Sequence, residues 1–293
     1  MPFRKISDLY GISPPSAYAK AFALAQSLPH CADVTRLYCS RFSGILVFDG
    51  KFVKVRQYQH KIPFLYGIDY LSHDIPTFRL AHAESYIACV KYFQSLRLLN
   101  YPLQIVVSDD NENIRLACKY VYPNANFQLC QNHFKENIRR SLCVRTDPTY
   151  RDFMYRVDHL FSIKRSLDDF NRCATSIFND YHNNPVCVSV MLDIQRKTDI
   201  LLGYLKVKHT PRTTNLIESF NSHFQGRFKS TKGFETFKSA DVWINAYILR
   251  RRFKEFTDCT AKFRHLNGTS SIQQSKKSDV DLTSFLEFLG ANF

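Results

Sequence analysis

Apolar positions set the first outline. The stretch Gly44-Ile-Leu-Val-Phe-Asp-Gly-Lys-Phe-Val-Lys-Val55 is rich in β-branched and aromatic residues, and Lys51-Phe-Val-Lys-Val alternates polar and apolar as a partly exposed edge strand does. Phe64–Leu71 and Thr77–Ala81 repeat that composition on either side of the turn-forming Ser72-His-Asp, so a three-strand meander is expected. A helix then starts at Glu84 and Ser85, with Ile87, Val90, Phe93 and Leu96 on one face, and stops at Asn100 before Pro102. Leu103-Gln-Ile-Val-Val-Ser108 is a short continuous apolar run, the mark of a strand buried on both faces. A helix over Asn111–Tyr122, a strand over Asn126–Cys130 and a helix over Gln131–Ser141 continue the alternation, which is that of an α/β sheet.

The pattern then turns wholly helical. Asp147-Pro148 is a good cap and first-turn pair, and Phe153, Val157, Leu160, Leu167, Phe170 and Ile177 keep three-four spacing until Asn183-Asn-Pro185 interrupts it. Helical periodicity resumes over Val186–Lys206, then over Thr213–Phe228, and again over Glu235–Phe256 with Arg250-Arg-Arg near its end. Trp243, on an otherwise apolar helix, reads as core. From Thr257 the chain is Ser/Lys-rich, closing with a short apolar helix near Leu282–Leu289. At the front, two short helices flank Gly11-Ile-Ser-Pro-Pro, the punctuation of a helix-turn-helix. Such a pair needs a third helix, and little sequence precedes Lys5 to supply one, so a helical hairpin packed on the main domain is the other reading.

Charge narrows the partners. Among 293 residues, 40 Lys and Arg face 26 Asp and Glu, a net +14 that favours polyanions, nucleic acid above all. Residues 201–260 hold 11 of those bases against 5 acids. No apolar run of about 18 residues and no signal-peptide pattern is present, which argues against a membrane role. The nine cysteines are scattered without paired spacing, as reduced thiols are, so an intracellular protein is expected.

Three acids stand where a carboxylate is unusual. Asp49 interrupts an apolar strand, Asp109 ends a buried one, and Glu218 lies in the helix after Thr213-Thr214. A bare carboxylate in such surroundings costs several kcal/mol unless hydrogen bonds, a cation or a metal satisfy it. Plainer readings exist for each: an Asp49-Gly50 turn, an Asp109 helix cap, and a solvated polar face for Glu218. Cys130 and His133 form a Cys-x-x-His pair that reads as half a zinc site lacking a second pair, or as a packed thiol beside a hydrogen-bonded imidazole.

The strings Val47-Phe-Asp-Gly-Lys-Phe-Val-Lys-Val55, Ile105-Val-Val-Ser-Asp-Asp110 leading to Val121-Tyr-Pro-Asn-Ala-Asn-Phe-Gln-Leu-Cys-Gln-Asn-His133, and Thr213-Thr-Asn-Leu-Ile-Glu-Ser-Phe-Asn221 resemble, in this order, the catalytic blocks of Mutator-type DDE transposases. The resemblance covers roughly residues 40–256. It implies a ribonuclease-H-like mixed five-stranded sheet flanked by helices, with an all-helical insertion at 147–208 before the Glu-bearing helix. The implied layout is a helix-turn-helix-like segment at 1–36, truncated relative to family members, a catalytic domain at 37–146 and 209–256, and a tail at 257–293. Asp49, Asp109 and Glu218 become the catalytic, metal-binding triad, with Cys130 and His133 in support. Asp110 could also reach a metal, but Asp109 sits directly at the strand end.

The implied activity is metal-dependent DNA strand cleavage and strand transfer, using Mg2+ or Mn2+. The implied partners are double-stranded DNA, both transposon ends and target, and further copies of the chain in at least a dimer, with no membrane. Arg212, Arg227, Lys229, Lys232, Arg250, Arg251 and Arg252 are the expected DNA contacts. A catalytically inactive, transposase-derived DNA-binding protein is the alternative, and only the enzyme requires the triad.

Overall fold

The computed structural model describes residues 3–228 and 233–282. Lys229, Lys232 and nearly all of the expected 282–289 helix lie outside those residues.

Three helices open the chain: α1 (Phe3–Tyr10), α2 (Pro14–Ser27) and α3 (Cys31–Tyr38). Ser13 caps α2 by accepting from Ser16 N at 3.3 Å, with Pro14 at the first helical position. Helices α1 and α2 pack against each other. The strands are β1 (Ile45–Val53), β2 (Ile62–Asp69) and β3 (Phe78–Leu80), then α4 (Tyr86–Leu98), β4 (Ile105–Ser108), α5 (Glu112–Val121), β5 (Asn126–Leu129) and α6 (Gln131–Ser141). Their order in the sheet is β3-β2-β1-β4-β5, with β1–β2 and β2–β3 antiparallel and β1–β4 and β4–β5 parallel.

The two-residue period of a strand divides the core. Leu46, Phe48 and Val106 face the side covered by α4 and α5, where they meet Cys89, Tyr92, Phe93 and Ile114. Ile87, expected on that face, is instead exposed, because Ala88, Cys89 and Tyr92 turn inward in α4. Ile45, Val47, Ile105 and Val107 face the other side, against α10 (Asn215–Phe228) and α11 (Phe237–Phe253), which contribute Ile217, Phe220, Phe224, Ile244 and Ile248.

Helices α7 (Arg151–Leu160), α8 (Leu167–Tyr181) and α9 (Pro185–Leu201) build a core of their own, in which Phe153, Val157, Leu160, Phe170, Ile177 and Ile194 pack with Leu129 and Phe134. Leu167 is the exception to the expected stripe, standing exposed at the first position of α8. Gln128 of β5 ties this layer to the sheet: its Nε2 donates to Leu201 O at 3.1 Å and its Oε1 accepts from Tyr204 N at 2.7 Å. Gly203 permits the approach, since a Cβ there would stand 2.3 Å from Phe127 O.

A short last helix, α12 (Ser271–Ser275), packs on α11. Between them lies a correction to the expected DNA contacts. Arg252 is fully buried: its Nε and Nη2 donate to Asp74 at 2.9 and 2.7 Å, Nη1 donates to Thr35 Oγ1 at 2.9 Å, and Ser271 and Ser275 donate to the same carboxylate. Its donors are satisfied inside the protein, so it is unavailable to DNA.

Trp243 of α11 is the platform for the front of the chain, with the rings of Phe3, Tyr18 and Phe22 centred 6.1, 5.8 and 5.9 Å from its own. Trp243→Ala should lower stability by about 3 kcal/mol, and limited proteolysis should cut α1 and α2 before the sheet is touched.

Candidate active site

Strand register builds the site. Val47 of β1 pairs with Val107 of β4 in parallel, so Asp49 and Asp109, each two residues further, come to the same level and the same face of neighbouring strands. Adjacent strands lie about 4.8 Å apart, which leaves two carboxylates side by side. Ser108 pairs with Leu129 of β5, and Cys130 N donates to Ser108 O at 2.7 Å, which sets Cys130 next in the row. Ends of parallel strands are where α/β sheets leave room for ligands.

Asp49 is held on both oxygens. Gly50 N donates to Oδ1 at 2.7 Å and Asn221 Nδ2 donates to Oδ2 at 2.8 Å, while the buried Tyr66 hydroxyl, opposite Asp49 on β2, donates to Asn221 Oδ1 at 2.7 Å. Burial pushes its pKa up, the neighbouring Asp109 charge pushes it further, and the Gly50 and Asn221 donors only partly offset them, leaving it at about 6.

A further carboxylate, absent from the sequence reading, joins the pair. Glu84, just before α4, has its pKa raised first by burial and then by Asp109 and Asp49, and Asn111 Nδ2 donates to its Oε1 at 3.3 Å. Gly50 makes the space, because a Cβ on it would stand 2.9 Å from that oxygen. Asp110 is engaged elsewhere, 2.6 Å from Lys197 of α9.

Glu218 and Asn221 are one helical turn apart on α10, so the helix that grips Asp49 also carries the third acid. Glu218 Oε1 accepts from Thr214 Oγ1 at 2.8 Å and lies 3.5 Å from His133 Nε2. Thr214 N also donates to Cys130 Sγ at 3.4 Å, and the Thr214 hydroxyl oxygen lies 3.2 Å from that sulfur. Burial alone would raise the Cys130 thiol, but the donors on His133 and Thr214 outweigh it and the pKa is lowered. His133 goes the other way, to about 9: its hydrogen-bonding interaction with Cys130 raises it, burial opposes, and the Cys130, Glu218 and Asp109 charges add to the rise. The thiol and imidazole are close but poorly aligned, since His133 Nδ1 is buried without a partner at strict hydrogen-bonding geometry. Donor atoms of Cys130, His133 and Glu218 all lie within 4.8 Å of one another.

The basic residues divide. Arg212 is partly buried and its guanidinium is used on the carbonyls of Phe161 and Ser162, at 2.9 and 3.4 Å, so it staples the entry to α10 to the end of α7. Arg227, Arg250 and Lys254 are exposed around one depression beside Tyr247, and the half-buried Arg251 lines it too. On the other side of α10, a groove of about 690 Å3 opens off Asp49 and is lined by Lys51, Lys54, Lys61 and Gln225, with Phe52 46% exposed. No helix among the described residues is long and apolar enough to cross a membrane.

Residues 35–256 match the family described as Transposase, Mutator family. Two curated relatives, the transposases for insertion sequence element IS256 in transposon Tn4001 of Staphylococcus aureus and of Enterococcus faecalis, are each 22% identical over 180 residues, 60% of this chain and 45% of the relative. The chain thus spans less than half the length of the relatives it matches. Among solved structures, the Drosophila P element transposase strand transfer complex is similar with a TM-score of 0.45 and 12% identity, covering 84% of this chain and 88% of that one. With three quarters of its length inside the family match, the chain belongs to the Mutator family of transposases.

Proposed function

We propose that this chain is the catalytic part of a DNA transposase, acting inside the cell on double-stranded DNA. The reading takes the five-stranded sheet as a ribonuclease-H-like platform, residues 147–208 as an insertion into it, and residues 1–36 as a DNA-reading segment. The observation that carries it is the placement of Asp49, midway along β1, beside Asp109, just past the end of β4, with Glu218 on the helix that supplies Asn221 to Asp49.

The donor set suits a hard divalent cation. Asp49, Asp109 and Glu84 offer oxygens only; burial first, and then their mutual repulsion, raises the pKa values of Asp49 and Glu84, and a cation would relieve both. Asp49 and Asp109 would hold Mg2+ or Mn2+, with Glu218 completing the set from α10. When bound, such an ion supplies a water of lowered pKa and neutralises charge on the phosphate and the leaving 3′ oxygen.

The protein's own residues do the rest. Gly50 and Asn221 fix the Asp49 carboxylate, with Tyr66 locking Asn221 in turn, so no reorganisation of the acid is needed during reaction. His133 stands 3.5 Å from Glu218, a nitrogen group beside the acids where a phosphodiester would lie. Arg227, Arg250, Arg251 and Lys254 on one side of α10, and Lys51, Lys54 and Lys61 on the other, bracket the carboxylates for a DNA backbone. Pairs of transposon ends would be held by a dimer or larger assembly.

Purified protein incubated with supercoiled DNA should nick it when Mg2+ or Mn2+ is added and not in chelator, and Asp49→Asn, Asp109→Asn and Glu218→Gln should each abolish nicking. Wild-type protein that leaves DNA intact with either ion would refute the proposal. Binding in chelator gives a separate expectation: Arg227→Ala with Arg250→Ala should flatten the log–log salt dependence of duplex affinity by about 2, at about 0.9 per lost phosphate contact.

A further inference from the structure

The five-stranded sheet ends in two donor sets of different chemistry, and only one is made of oxygen. Beside the hard acids, Cys130, His133 and Glu218 present sulfur, nitrogen and oxygen atoms within 4.8 Å of one another. Three protein ligands of these types with an open fourth position form the usual ligand set of a non-structural zinc site, whereas Mg2+ and Mn2+ are poorly served by sulfur.

Three features of the surroundings fit ligation. Cys130 Sγ accepts a hydrogen bond from Thr214 N–H at 3.4 Å and has the Thr214 hydroxyl 3.2 Å away, an outer-shell arrangement that supports a metal-bound thiolate. The same hydroxyl reaches Glu218 Oε1 at 2.8 Å, so one residue orients two ligands. His133 Nδ1 is buried without a well-aligned hydrogen bond, although a buried imidazole nitrogen ordinarily has one, and the Cys130 thiol is its close neighbour. The scaffold is rigid: Cys130 precedes the first turn of α6, His133 lies three residues on, and Glu218 sits in the first turn of α10, whose entry is bonded to α6 through Gln131 N to Arg212 O at 2.9 Å.

We propose that Cys130, His133 and Glu218 bind a borderline-soft divalent cation of the Zn2+ class, with Thr214 as their positioning residue. The site stands on geometry that does not depend on strand cleavage. It has one consequence for that reading, because a cation seated there holds Glu218 toward β5 and away from Asp49 and Asp109.

Co2+ is the probe, titrated into metal-free, DNA-free protein of the full chain under reducing conditions. One equivalent should produce the visible absorption of a four-coordinate site and a sulfur-to-cobalt charge-transfer band, both erased by Zn2+ and unaffected by a large excess of Mg2+. Cys130→Ser should lose the charge-transfer band. Glu218→Gln, at an exposed position that does not endanger folding, should keep the band while binding about 10- to 100-fold more weakly, and Thr214→Val should weaken binding by a similar factor. A wild-type titration without a one-equivalent transition, a charge-transfer band that survives Cys130→Ser, or a Glu218→Gln affinity equal to wild type would each overturn the proposal. Glu218 is shared, so the oxygen-only centre is read separately by the loss of nicking in Asp49→Asn and Asp109→Asn, and failure of one centre leaves the other standing.

Discussion

Asp49→Asn should make the metal-free protein more stable and the enzyme inactive. The carboxyl is buried against Asp109, and its pKa of about 6 exceeds the ordinary 3.8. The folded state therefore binds this proton more tightly than the unfolded chain does. Between about pH 4 and pH 6 stability falls as pH rises, and above that window the ionised acid carries its whole cost. At 1.36 kcal/mol per pKa unit, that cost is about 2–3 kcal/mol at neutral pH.

Asn removes the charge and keeps an oxygen for Gly50 N. Asn221 must turn its amide, and the Tyr66 hydroxyl must then accept rather than donate, a rearrangement that consumes part of the gain. A net gain of about 2 kcal/mol, seen as a rise of about 4–8 °C in Tm at pH 7.5 in chelator, should shrink toward zero at pH 4. Cleavage should fall by about 100- to 1,000-fold, the scale of losing a preorganised electrostatic contact in an active site. A variant less stable than wild type at pH 7.5 would contradict the account of why these acids are together.

Arg252→Met should produce the largest loss of stability. The side chain and its partner Asp74 are both 0% exposed, and removal of the guanidinium leaves a buried carboxylate with only hydroxyl donors from Ser271 and Ser275. Breaking such a pair costs about 3–5 kcal/mol. DNA affinity of the protein that remains folded should be unchanged. Arg250→Ala, two residues earlier and exposed, should do the opposite, weakening DNA binding while stability moves by about 0.5 kcal/mol or less. Denaturation and salt-titrated binding on the two variants separate the roles.

That contrast shows what the sequence could carry. Arg250-Arg-Arg reads as one basic cluster, yet successive helical residues point about 100° apart, so three neighbours cannot share a face. Here the first is exposed, the second half-buried and the third enclosed. The partner that decides Arg252's role, Asp74, stands 178 residues away in a turn that carried no signal beyond its turn residues.

The strands were legible because their apolar runs are short, dense and bounded by turn residues, and a mixed five-stranded sheet followed from the β/α alternation together with the family resemblance, while the strand order comes from the structure. Asp49 and Asp109 were legible as polar interruptions of apolar strands, and register makes them neighbours. Glu84 was not, since a carboxylate ahead of the Ser85 cap looks like any helix start, and only the missing side chain of Gly50 brings it to the acids. Of the face expected for α4, Val90, Phe93 and Leu96 do pack under the sheet, and only Ile87 points away, because Ala88 and Cys89 fit closer to the strands. Cys130 and His133 read as half of a ligand set, and the other ligand, Glu218, comes from a helix 85 residues further along.

End-group analysis of nicked DNA tests the central claim most directly. Attack by water at the phosphorus, with the 3′ oxygen leaving, predicts nicks bearing a 3′-hydroxyl and a 5′-phosphate that DNA ligase reseals, formed only with Mg2+ or Mn2+ and absent with Asp109→Asn. Nicks ending in 3′-phosphate, nicks formed in chelator, or undiminished nicking by Asp109→Asn would contradict it.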